Sequence, residues 1–130
     1  MVFRADPAII SQFVPEPLEL ASDVVEARVT AHYQPGHGLP IEAAAIHARV
    51  RYNGQEGRFP LLTIGTSDEQ MCANREELGM PVVFGESRMW SKGNTWWGIG
   101  QRDGNEIIRI SVFPERTEAP ESSRERIQTP

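Results

Sequence analysis

Hydrophobic and polar residues alternate with a period of two along most of this chain, a pattern that predicts strands rather than helices. Between residues 23 and 33, Val25, Ala27, Val29, Ala31 and Tyr33 alternate with Glu26, Arg28, Thr30 and His32, as in a half-buried strand. A Gly/Pro-rich loop follows at 34–40. The alternation resumes with Ile46, Ala48, Val50 and Tyr52 on one face and His47, Arg49 and Arg51 on the other. Asn53-Gly54 closes that segment as a hairpin, because both residues tolerate positive φ, and residues 58–66 form the returning strand. Three more strands are predicted near 82–90, 95–102 and 106–113, joined by turns at Gly93-Asn94 and Asp103-Gly104.

Those two turns imply a register. Two-residue turns set Trp90 opposite Trp97, Trp97 opposite Ile110 and Ile99 opposite Ile108. One face of the meander then holds Val82, Phe84, Trp90, Trp97, Ile99, Ile108, Ile110 and Val112 as core, with Ile107, Arg109, Ser111 and Phe113 outside. Glu86 and Arg88 fall on the apolar face in this register. Two readings stay open for them: they line a cavity or pair, or their strand is an edge and both reach water.

Helix signals are few. Asp6 can cap free N–H groups and Pro7 loses nothing at a first helical position, which predicts a short helix over 7–13, stopped by Pro15 and Pro17. Ser67 and Gln70 have capping-box spacing and predict a helix over 68–78, ended by Gly79 and Pro81. The sum is one α+β domain, mainly antiparallel, over 1–113. Residues 114–130 contain one large apolar side chain, Ile127, too little to repay the entropy of ordering, and are expected to be a disordered polar tail.

At 130 residues and 39% hydrophobic content the chain has enough apolar surface for one core. A net charge of −5 with scattered acids argues against nucleic acid or an anionic membrane as partner. No apolar run reaches the ~18 residues of a membrane span, and Cys72 is the single cysteine, so a cytoplasmic protein is expected. His32, His37 and His47 lack metal-ligand spacing, and neither a metal nor another cofactor is expected.

One stretch carries specific chemistry. Asn74-Arg75-Glu76-Glu77-Leu78-Gly79-Met80-Pro81-Val82-Val83 resembles the active-site segment G-R-E-x-x-G-x-P-K-K of the acetoacetate decarboxylase family, with both lysines replaced by valine. Arg4-Ala5-Asp6 and Val14-Pro15-Glu16-Pro17-Leu18-Glu19 resemble that family's R-T-D and V-P-E-P-L-E segments. The resemblance runs from Val2 to about Phe113, roughly the N-terminal half of the family's length. It implies a curved, partly closed barrel around a small-molecule pocket.

The resemblance also implies site residues. Glu42 matches a pocket carboxylate if one gap is allowed, and Arg28 stands where a second one is expected, its charge reversed. Arg75 and Glu76 keep an R-E pair that either serves a substrate carboxylate and a proton or simply anchors a helix. Val82 takes the position of the imine-forming lysine, and Trp97 is a candidate stacking residue. The single lysine, Lys92, falls in a predicted turn, an exposed place ill suited to an imine-forming amine. Two functional readings follow. In one, the chain binds or transforms a small oxo acid without Schiff-base chemistry, with Glu42 and Glu76 catalytic and Arg75, Arg28, Val82 and Trp97 binding substrate. In the other, it is a non-catalytic binding or assembly protein of the same fold. A homo-oligomer is expected in either, because half a barrel leaves strand edges open.

Overall fold

The computed structural model of the chain describes residues 1–32 and 41–113. The predicted loop at 34–40 and the predicted tail lie outside the described residues. Strand β1 (Val2–Arg4) leads into helix α1 (Pro7–Ile10) and a 3-10 turn at Ser11–Phe13. Asp6 caps the helix by accepting from the Ala8 N–H at 2.8 Å, with Pro7 in the first turn, as the sequence predicts. Arg4 does not serve that helix: its guanidinium donates to Asp23 at 2.7 and 2.9 Å and ties β1 to its neighbour.

Three long strands follow, β2 (Glu19–His32), β3 (Ile41–Tyr52) and β4 (Gln55–Gly65), paired antiparallel. Asn53 and Gly54 take φ values of 49° and 76°, the paired positive angles that a two-residue hairpin of this twist requires. After β4 the chain forms helix α2 (Asp68–Cys72), which widens into a π turn at Ala73–Glu77. Ser67 accepts from the Gln70 N–H at 3.2 Å, while the Gln70 side chain reaches back to the Thr66 N–H at 3.0 Å. Gly79, at φ 63°, ends the helix.

The predicted strand at 82–90 is two strands. β5 (Val82–Phe84) runs parallel to β4 and completes a five-stranded sheet ordered β1-β2-β3-β4-β5. β6 (Glu86–Lys92) then opens a second sheet with β7 (Thr95–Arg102) and β8 (Asn105–Val112). Gly85 is the crossing point. A Cβ there would collide with the Gln101 carbonyl oxygen and lie 2.8 Å from Ile64 Cγ2, so only glycine turns this corner.

The two sheets pack face to face and do not close into a barrel. Between them lie Ala27, Ala44 and Ile64 from the larger sheet and Ile108 and Ile110 from the smaller. A second cluster of Ile10, Val25 and Ala48 seats α1 on the same sheet.

The register of the small sheet corrects one expectation. Trp90 does face Trp97, but Trp97 pairs with Ser111, Gly98 with Ile110 and Gly100 with Ile108, with a bulge after Gly100. The inward residues of β7 are therefore the glycines. A Cβ on Gly98 would sit 2.7 Å from Val29 Cβ, and one on Gly100 would sit 2.6 Å from Ala44 Cβ. Trp90, Trp97 and Ile99 consequently lie on the outer face with Ile107, Arg109 and Phe113 rather than in the core. Phe84, also expected in the core, is exposed.

Candidate functional site

Cross-strand pairing lines up four residues on the face of the five-stranded sheet that points away from the small sheet. Arg28 pairs with Ala45, Ala45 with Thr63, and Thr63 with Val82. One row along, Glu26 pairs with His47. The floor is made of small groups: Ala45 and Thr63 are buried, and His47 is only 7% exposed.

Two polar atoms in this patch, His47 Nδ1 and Thr63 Oγ1, are buried without a hydrogen-bond partner. Buried polar groups are nearly always paired, which makes these two atoms exceptions. The electrostatics favour an anion. Four arginines on this face, Arg28, Arg49, Arg51 and Arg58, outnumber three acids, Glu19, Glu26 and Glu56, of which Glu26 is held at 3.1 Å by Arg58 and Glu56 at 2.7 Å by Arg51. Burial, reinforced by the Arg28 charge, holds the His47 pKa below its ordinary value and keeps the imidazole neutral. Burial alone would raise Glu26, but the Arg58 hydrogen bond and charge outweigh it and hold its carboxyl below the usual range.

Glu42 is on the other face. It lies three residues from Ala45 in a regular strand and lines a cavity of about 380 Å³ at the junction of the sheets with Thr66, Phe84, Glu86, Ser87 and Arg88. Its Oε1 accepts from the Met89 N–H at 3.3 Å, and Thr66 Oγ1 donates to its carbonyl at 2.9 Å. Glu86 and Arg88 thus both line a cavity and sit on an edge strand, so each of the two readings of that pair describes part of the arrangement.

The six residues singled out from the sequence do not converge on one place, although Arg28 and Trp97 both line a cavity of about 180 Å³ with Met1, Met89 and Ile110. Arg28 and Val82 share a row, with Val82 buried and close to the Gly65 backbone beside Met71 of α2. Arg75 and Glu76 are exposed on the π turn and line neither the cavity nor the row. Trp97 stacks on Trp90 with ring centroids 6.2 Å apart and meets Phe113 edge-on at 6.5 Å, on the outside of the small sheet. His47, Thr63, Ser87 and Arg88 were not picked out as site residues. Only the pairing of strands distant in sequence brings them beside Arg28 or Glu42. Among the described residues no group of three His, Cys, Asp or Glu could hold a metal ion, and no helix is long and apolar enough to cross a membrane.

A two-sheet α+β domain with this order of elements is a known architecture. The family profile for acetoacetate decarboxylase matches residues 1–130, and the chain belongs to that family. It is similar in structure to acetoacetate decarboxylase from Legionella pneumophila, at 18% identity and a TM-score of 0.81, covering 95% of this chain and 49% of that one. It is also similar to an acetoacetate decarboxylase-like enzyme from Sphingomonas wittichii RW1, at 19% identity and a TM-score of 0.74, covering 85% of this chain and 52% of that one. The enduracididine biosynthesis enzyme MppR in complex with pyruvate is similar at 19% identity and a TM-score of 0.74, covering 93% of this chain and 56% of that one. The chain therefore spans about half the length of these proteins. No curated protein sequence matches it.

Proposed function

We propose that this chain binds a small oxo acid on the Arg28–Ala45–Thr63–Val82 row, without forming a Schiff base. The observation that supports this best is the row itself. It joins the two positions the family resemblance assigns to the pocket, with a guanidinium at one and no amine at the other. Arg28, which makes no ion pair among the described residues, would hold the substrate carboxylate by paired, charge-assisted hydrogen bonds. The Thr63 hydroxyl, two strands along the row from Arg28, would donate to a ketone oxygen, and neutral His47 would be the group that moves a proton. Glu42, on the opposite face, has no part in this site, and Arg75 and Glu76 are left to the helix that carries them.

Arg28 is the exposed end of the row, and the similar structures are about twice as long. A second copy of the chain is the proposed cover, giving a homo-oligomer. The outer face of the small sheet supports it, because it combines exposed Trp90, Ile107 and Phe113 with both signs of charge in Arg109 and Glu106, as a two-fold contact requires. The free, exposed Cys72 supports a reducing, cytoplasmic setting.

Calorimetric titration of pyruvate and acetoacetate into the wild type and into Arg28→Glu tests this reading. Binding that falls by at least about tenfold in the variant is expected, as for loss of a charge-assisted pair. Equal binding by both proteins, or borohydride trapping of substrate on Lys92, would contradict it.

A further inference from the structure

The geometry points to a second ligand site, in the cavity beside the Gly85 crossing at the edge of β6, suited to a small zwitterion that carries both an ammonium and a carboxylate. Two carboxylates, Glu42 and Glu86, and one guanidinium, Arg88, line this space. A lone anion would face two like charges against one opposite charge there. A ligand bearing both signs suits all three groups at once.

Each group is available. The Met89 N–H orients Glu42 through Oε1, and the other carboxylate oxygen makes no hydrogen bond among the described residues. Arg88 makes no ion pair among them either. Ser87 also lines the cavity, and its Oγ is buried without a partner. A buried hydroxyl left unpaired costs stability, and a ligand that accepts from it recovers that cost. Ile99 adds an apolar wall and Gln101 an amide that both donates and accepts. A volume of about 380 Å³ is within the range of small-molecule pockets. None of these residues belongs to the Arg28 row, so the two sites stand or fall separately.

Isothermal titration calorimetry on the full chain with glycine, β-alanine and 4-aminobutyrate spaces the two charges progressively. Acetate and methylamine serve as single-charge controls. One of the three zwitterions should bind at least about tenfold more tightly than either control, and Arg88→Gln and Glu42→Gln should each weaken it about tenfold or more. Ser87→Ala should weaken binding while raising the melting temperature, a combination that a purely structural serine does not give. Pyruvate binding by Arg88→Gln should match the wild type. Failure of all three zwitterions to bind, equal binding by methylamine, or unchanged binding in Arg88→Gln overturns the site.

Discussion

The two faces of the five-stranded sheet are built from alternate residues of the same strands, yet they are chemically opposite. Ala27, Ala44 and Ile64 point to the small sheet and are almost wholly buried. One residue away along each strand, Arg28, Ala45 and Thr63 form a row on the opposite face, which is rich in guanidinium groups. The period of two lets one strand set carry a dry core on one face and a guanidinium-rich surface on the other. It also means that a residue's neighbour in sequence is a stranger in space. Glu42 and Ala43 belong to different surfaces, and so do Arg28 and Val29.

The largest expected effect is on the dry face. Ile64→Ala empties the centre of the contact between sheets and should cost about 2–5 kcal/mol of unfolding free energy in a denaturant titration. Next is the opposite error, overfilling. Gly100→Ala forces a methyl group against Ala44 and Ile64 and should cost about 1–3 kcal/mol, whereas glycine-to-alanine changes at open strand positions do not. If both variants unfold like the wild type, the close approach of the sheets is wrong.

A smaller effect, on the polar face, depends on pH. The folded chain holds His47 below its ordinary pKa, with Glu26, Arg28 and Arg58 the charged groups around it. Its contribution to stability is fully present above about pH 6.5, the ordinary value of the unfolded chain, and is lost as pH falls through the folded pKa, because the unfolded chain takes up a proton that the folded one refuses. Glu26, lowered by Arg58, adds a loss of the same sign below about pH 4.5. In His47→Gln the decline below about pH 6.5 should flatten, read as the pH dependence of the melting temperature. An unchanged slope would show that His47 is not held neutral.

Much of the fold could be read in the sequence, and the errors have physical causes. Alternation located the three long strands, Asn53-Gly54 their hairpin, and Asp6 and Ser67 the helix starts. The register of the small sheet was missed because its inward positions on β7 are Gly98 and Gly100, which carry no hydrophobic signal, beside two tryptophans and an isoleucine that carry a strong one. The split at Gly85 was missed because valine, phenylalanine and tryptophan on either side read as one strand. For the proposed site, the resemblance pointed to Arg28 and Val82, which the strand pairing places in one row. Nothing local marks His47 or Thr63, since their significance comes from pairing across strands and from the absence of a partner for a buried atom. Glu42 matched a family position in sequence, but the register turns it to the other face.

The most direct test of the account is an amide chemical-shift map of the chain titrated with pyruvate. The account predicts that the largest shifts fall along Arg28, Ala45, His47, Thr63 and Val82, with the Glu42, Ser87 and Arg88 amides unmoved. Shifts concentrated in the cavity at the edge of β6, with the row silent, would contradict it.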